Sequence, residues 1–207
     1  DKTLKPEEIQ AVEGGVKYAG GGITASASVY WHHCKNMIDW IRDTSEGEEA
    51  VWRSVNFTKI NTLGVETSLQ ADFRQLWPTQ HVAKWLNVAY SYISEDKDEP
   101  ANIQSRSTLE YLRHKVVADL SLCLYRQLDL TLKYRYQERT GTFTDMAGQV
   151  QQYAPYSIVD ARLQWNDKAY KLYVEANNLF NKTYYDFGAI PQPGIWVMAG
   201  ASIDLHL

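Results

Sequence analysis

The chain has 207 residues, a net charge of −4 and a mean hydropathy of −0.43, yet it holds 14 tyrosines and 7 tryptophans. No stretch reaches the roughly 18–20 apolar residues of a membrane helix, so contact with lipid would have to be made by strands that alternate apolar and polar residues. Acidic and basic residues are mixed throughout with no basic face or arginine-rich arm, so nucleic acid is not an expected partner.

In chain order, period-two alternation begins at 11–18 and becomes clear at 22–39. There Ile23, Ala25, Ala27, Val29 and Trp31 share one face while Thr24, Ser26, Ser28, Tyr30 and His32 share the other. It recurs at 62–73, where Leu63, Val65 and Leu69 oppose Glu66, Ser68 and Gln70, and again at 82–93 and 115–125. The clearest copy is 128–139: Leu128, Leu130, Leu132, Tyr134 and Tyr136 alternate with Asp129, Thr131, Lys133, Arg135 and Gln137. Further strands are expected at 156–165, 170–177 and 196–207. Nine strands of this length suit an all-β, antiparallel, up-and-down transmembrane β-barrel, with an apolar face toward lipid and a mixed polar face toward a wet lumen. Trp31, Tyr134, Tyr136, Trp165 and Tyr170 fit the aromatic girdles at its two interfaces.

The connections alternate in length. Gly20-Gly21, Tyr125-Arg126-Gln127 and Asn166-Asp167-Lys168 are short and the segment around Trp77-Pro78 is somewhat longer; between them lie the longer 40–50, 94–103, 140–154 and 180–194. Outer-membrane barrels carry short periplasmic turns and long extracellular loops, which places the bacterial outer membrane first among locations. Counting back from a last strand that ends in the periplasm puts residues 1–10 outside. An odd strand number with such a start is expected of a piece of a larger barrel. Cys34 and Cys123 then fall near opposite ends of their strands, too far apart for the ~7 Å Cα separation of a disulfide.

Specific passages carry a family resemblance. Leu4-Lys5-Pro6-Glu7 followed by Val12-Glu13-Gly14-Gly15-Val16-Lys17-Tyr18, then Asn36-Met37-Ile38-Asp39, then Asn56, Asn61 and Gly64-Val65-Glu66, resembles the C-terminal barrel region of TonB-dependent receptors. Val174-Glu175-Ala176-Asn177-Asn178-Leu179-Phe180-Asn181-Lys182-Thr183-Tyr184, then Pro193-Gly194 and a last strand with Gly200, Ile203, Leu205 and Leu207, resembles that family's ending, although Leu207 stands where many members have phenylalanine. The resemblance implies a 22-stranded barrel of which 1–207 is the C-terminal part. It further implies an N-terminal plug and TonB-contacting segment outside this sequence, and uptake of a scarce nutrient such as an iron chelate, haem or cobalamin.

No HExxH or CxxC spacing is present, and no catalytic residue, metal site or cofactor is expected. The polar-face carboxylates Glu66, Asp72, Asp119, Asp129, Asp160 and Glu175 read as a solvated lining beside Lys133, Arg135, Arg162 and Lys171. His32 and His33 are adjacent on a strand and so point to opposite faces; a lumenal His32 could touch a haem or corrinoid. The long loops carry Trp40, Trp52, Phe143, Tyr153, Tyr184, Tyr185 and Phe187, aromatics able to grip a small-molecule nutrient or to pack on one another, and of these Trp40, Trp52, Phe143, Tyr153 and Tyr185 are the site candidates. Two other readings stay open: a non-transporting binding or adhesion barrel, and a soluble β-barrel carrier with Leu128, Leu130 and Leu132 turned inward.

Overall fold

The computed structural model describes residues 3–97, 102–105 and 111–203. Its strands are β1 (Glu8–Gly20), β2 (Ile23–Asp43), β3 (Arg53–Asp72), β4 (Ala83–Lys97), β5 (Ile103–Ser105), β6 (Leu112–Tyr125), β7 (Leu128–Arg139), β8 (Thr142–Thr144), β9 (Val150–Gln152), β10 (Tyr156–Asn166), β11 (Tyr170–Asn177) and β12 (Trp196–Ile203). The main sheet runs β1-β2-β3-β4-β6-β7-β10-β11-β12, with β5 paired to β2; β8 and β9 form a separate hairpin. Every neighbouring pair is antiparallel. Among the described residues β1 and β12 are the free edges of an open, meandering sheet.

Pairing register turns sequence parity into two continuous faces. Leu132 lies opposite Leu120 on one side and Ala161 on the other, while the next row sets Lys133 between Asp119 and Asp160. The apolar face has no partner layer: Val29, Leu63, Leu163, Leu172 and Val174 are exposed, and no large side chain is fully buried among the described residues. A soluble carrier would bury that face to gain the hydrophobic stabilisation its area offers, and no layer of the described residues covers it. The polar face is held by its own contacts. Asp129 accepts from Lys84 Nζ at 2.7 Å and from Asn166 Nδ2 at 2.8 Å, and the Arg162 guanidinium lies 3.7 Å over the Tyr173 ring and 3.4 Å from Glu175.

Several boundaries differ from the sequence expectation. The β1–β2 turn is Gly21-Gly22, one residue later than expected, with φ of 57° and 82°. Consecutive positive φ values are what a tight two-residue hairpin demands, and glycine adopts them without a Cβ clash. A Cβ on Gly22 would also stand 2.8 Å from Cβ of Gln75. The expected loop 40–50 is mostly strand and 3₁₀ helix: β2 and β3 continue as a ribbon to a 3₁₀ turn at Thr44–Glu49, so Trp40 sits on β2. β4 likewise continues to Lys97. A short helix, α1 (Phe73–Leu76), fills the β3–β4 turn, capped by Asp72. The end of the expected last strand, 204–207, lies outside the described residues, as does much of the loop after β4. Cys34 on β2 and Cys123 on β6 are both free thiols.

Candidate functional site

The long-loop end of the sheet gathers the site. β7 and β10 present Arg135, Gln137, Arg139, Tyr156 and Ile158 on the polar face, because each occupies the polar parity of its strand. Above them the β8–β9 hairpin and the β11–β12 loop close over a cavity of about 360 Å³ lined by Phe143, Asp145, Gln151, Tyr156, Lys182, Tyr184 and Tyr185 among others.

Aromatic contacts hold the two loops together. The Phe143 ring lies 5.0 Å from Tyr153 and 5.1 Å from Tyr185, and Tyr156 lies 4.4 Å from Tyr184. Offset and tilted rings at these spacings gain about 0.5–1.5 kcal/mol per pair beyond their buried area. Tyr153 is buried and accepts a hydrogen bond from the Gly188 amide at 2.8 Å. Tyr156 is also buried; its single hydroxyl proton is shared between Gln137 Oε1 and, at 2.9 Å, Asp186 Oδ1. Two arginines stand against these rings from behind the lining. Arg135 donates to the Tyr184 hydroxyl at 3.3 Å with its guanidinium 6.0 Å from that ring, and Arg139 lies 5.8 Å over Tyr153 and 3.9 Å from Asp186.

The β11–β12 loop is fixed at its root by Asn178. That residue is 3 % exposed, adopts φ 52°, and donates from Nδ2 to the carbonyls of Lys182 and Pro193 while its Oδ1 accepts from the Lys182 amide. The Asn178 amide donates to Asp160 at 2.7 Å, tying the loop to β10. The Lys182 ammonium is left on the cavity wall with no ion pair among the described residues.

Three of the candidates read from sequence, Phe143, Tyr153 and Tyr185, therefore meet in one cluster. His32, Trp40 and Trp52 do not join it. His32 stacks on Tyr30 at 4.9 Å on the polar face, while His33 on the other face bonds Asn61 at 2.7 Å and stacks on Trp31. Trp40 is half exposed, and Trp52 lies 5.8 Å from the Arg42 guanidinium. Sequence patterning did not single out Tyr156, Arg139 or Asp186 as site members; it named Tyr184 only among the loop aromatics and Arg135 only as part of the polar lining. Strand parity was the available signal for the β7 and β10 residues; for Asp186 there was none. Among the described residues no group of three or more histidine, cysteine or acidic side chains is placed to hold a metal ion.

The sequence model for TonB dependent receptor-like β-barrels matches residues 1–179. This chain belongs to the TonB-dependent receptor β-barrel family. Solved receptors show the same fold. The FrpB iron transporter of Neisseria meningitidis is 18 % identical, with a TM-score of 0.70 over 96 % of this chain and 31 % of its own. The pyoverdine-bound outer membrane receptor FpvA of Pseudomonas aeruginosa PAO1 is 18 % identical, with a TM-score of 0.72 over 98 % of this chain and 30 % of its own. The copper transporter OprC is 14 % identical, with a TM-score of 0.72 over 99 % of this chain and 32 % of its own. The chain thus spans less than a third of these receptors. A search of the curated proteins gives no match. Members of this family are bacterial outer-membrane proteins.

Proposed function

We propose that the receptor to which this chain belongs takes up an anionic metal chelate across the outer membrane, with residues 1–207 forming the C-terminal part of a 22-stranded barrel. The long-loop end is then extracellular and the polar face lumenal. Energy would arrive through TonB by way of an N-terminal region outside this sequence, and a plug there would fill the lumen.

One observation carries the choice of ligand: the cavity is walled by tyrosines, phenylalanine and Lys182, with Arg135 behind the wall bonded to the Tyr184 hydroxyl. Aromatic faces match the flat organic surfaces of a chelate, and arginine donors meet its negative charge through charge-assisted hydrogen bonds. Asp186 is engaged by Tyr156 and Arg139, and Asp145 is held by its own hairpin, so Arg135 and Lys182 are the cations at the cavity without an ion pair among the described residues. That favours an iron–siderophore type of ligand over cobalamin, which offers no comparable negative charge, and over haem, for which His32 stands apart from the cavity. The iron and copper transporters and the pyoverdine-bound receptor that share the fold are consistent with this class.

The test is binding and uptake by the whole receptor in cells. Arg135→Ala and Tyr184→Ala should each weaken binding of an anionic ferric chelate by about tenfold or more, the scale of one lost charge-assisted bond, and uptake should fall with it. Binding that survives both changes, or binding without any TonB-dependent uptake, would favour the adhesion-barrel alternative instead.

A further inference from the structure

At the long-loop end, β2 and β3 go on beyond their neighbours. The ladder between β1 and β2 stops at Glu8 and Lys35 and that between β3 and β4 at Ile60 and Lys97, whereas β2 and β3 stay paired as far as Ile41 and Arg53. At that same level both strands are irregular. Lys35 and Asn36 of β2 stand opposite the single Lys59 of β3, between the pairs Cys34–Ile60 and Met37–Thr58, and the register shifts back between Met37 and Ile38, whose partner is Asn56. Asn36 takes φ 55°. Bulges interrupt the ladder and bend the strand that carries them, and here two stand back to back, one on each strand, where neither β1 nor β4 accompanies the ribbon. A two-stranded ribbon by itself is only marginally stable in water.

Segments from outside the hairpin hold the ribbon at its base and at its tip. At the base, Glu7 Oε1 accepts from the Ile38 amide at 2.7 Å, the first position beyond both bulges. Asn56, the cross-strand partner of Ile38, exchanges hydrogen bonds with the Lys5 backbone: its Oδ1 accepts from the amide at 2.6 Å and its Nδ2 donates to the carbonyl at 2.9 Å. The same Nδ2 donates to the Asn36 carbonyl at 2.6 Å, and Asn36 Nδ2 donates to the Pro6 carbonyl at 3.4 Å. At the tip, β5 adds to the edge of β2 opposite β3. There the Asn102 carbonyl accepts from the Thr44 amide and hydroxyl, each at 2.8 Å, and Asn102 Nδ2 donates to Asp43 at 3.0 Å.

We propose that the β2–β3 ribbon is an arm hinged at the paired bulges, and that Glu7, Asn36 and Asn56 form the catch that fixes its angle to the sheet. The direction of the bonds carries this. A staple for the hairpin alone would join β2 to β3, but of the five bonds at the base only Asn56 to Asn36 does so; the other four run to Lys5, Pro6 and Glu7. The passage that leads into β1 therefore has a mechanical role whatever the ligand. A shift of that segment is passed through the catch to the arm, and through Asn102 to the loop after β4, so the three move as one body. Trp40, half exposed on the arm, and Trp52 beside Arg42 travel with it.

Spin-label distances in the whole receptor in detergent test this, with Cys34→Ser and Cys123→Ser removing the native thiols and labels at Val51→Cys near the arm's tip and Val12→Cys on β1, both exposed positions. With the catch intact the pair should give one narrow distance. Glu7→Ala combined with Asn56→Ala should broaden it or add a second distance. The same change should speed amide exchange at Ile38 about tenfold, the scale of one lost charge-assisted bond, while the β3–β4 ladder keeps its protection. Glu7→Gln, which retains an acceptor, should keep the narrow distance. A narrow distance left unchanged by the double variant overturns the catch, and so does a broad distance when the catch is intact. Arm amides that all exchange at the unfolded rate in the double variant overturn the hinge, because these residues would then be needed to form the ribbon and not to set its angle. Should the double variant fail to assemble, Asn36→Gly, which keeps the left-handed backbone and removes one catch bond, is read in the same way: a broader distance supports the arm and an unchanged one overturns it.

Discussion

Asn178 explains why the most recognisable stretch of the sequence matters. Its φ of 52° places it in the left-handed region, which asparagine tolerates better than other non-glycine residues. Its side-chain amide then satisfies two carbonyls and one amide that would otherwise be orphaned in a buried turn. Asn181 repeats the device at φ 50°, its Oδ1 accepting from the Ile195 amide at 2.9 Å. Asn178→Ala removes three hydrogen bonds and puts a Cβ-bearing side chain without local compensation into the left-handed region. The expected loss is about 1–3 kcal/mol of local stability, seen as faster amide exchange at Lys182 and Ile195 while the β10–β11 ladder stays protected. Asn178→Gly should be milder, since glycine keeps the backbone geometry. Equal exchange in wild type and both variants would show that the amide does not fasten the loop. The passage could be matched to a family in sequence, but its bonding role could not be read there, because Asp160 and Pro193 are brought to Asn178 only by the fold.

At the scale of elements, the strands that were easiest to read are those where parity is unbroken. β7 and β11 begin and end where alternation does, because each of their residues faces either the apolar or the polar side without interruption. β2 was legible only in its first half. Asn36 takes φ 55° and the register to β3 shifts between Cys34 and Met37 and again between Met37 and Ile38. Such bulges reset which side chains face which side, so the ribbon carrying Trp40 looked like a loop. The β8–β9 hairpin was hidden for another reason: its three-residue strands are too short for any period to show, and its turn is organised by one carboxylate. Asp145 accepts from the amides of Ala147 and Gln149 and from the Gln151 side chain, each at 2.9 Å, and those bonds hold its pKa below the ordinary value of about 3.9. A carboxyl whose folded pKa is depressed stabilises the folded hairpin above its unfolded pKa, and that contribution fades as pH falls through the folded one. The hairpin, and with it Phe143 on the cavity, should therefore be insensitive to pH from 7 to 5 and loosen only below the ordinary carboxylate range. Chelate binding followed across that range would check this, with Asp145→Asn, which keeps an acceptor but not the charge, flattening the acid limb. A wild-type acid limb that Asp145→Asn leaves unaltered would assign the transition to other groups.

For the molecule as a whole, the deciding quantity is which medium the apolar face meets. The sheet encloses no core of its own, and the rows built from Leu120, Leu132 and Ala161 or from Leu130 and Leu163 continue across strands as one surface. In an outer membrane that surface is covered by lipid tails, while the adjacent rows stay in the wet lumen. Two neighbouring positions on β7 then have opposite tolerances. Leu132 is on the apolar face near the middle of its strand, and Leu132→Arg places a guanidinium in hydrocarbon at a cost of about 2–4 kcal/mol near the bilayer midplane. Thr131 is one residue away on the polar face, opposite Ser121 and Arg162, where an added arginine remains hydrated and meets one like charge. Thr131→Arg should cost less than about 1 kcal/mol, the scale of a surface-exposed charge interaction. Reversible denaturant unfolding of the whole receptor in lipid vesicles measures both. The two faces of the sheet predict a large penalty at 132 and a small one at 131; equal penalties, or the reverse order, would mean that the apolar face looks inward.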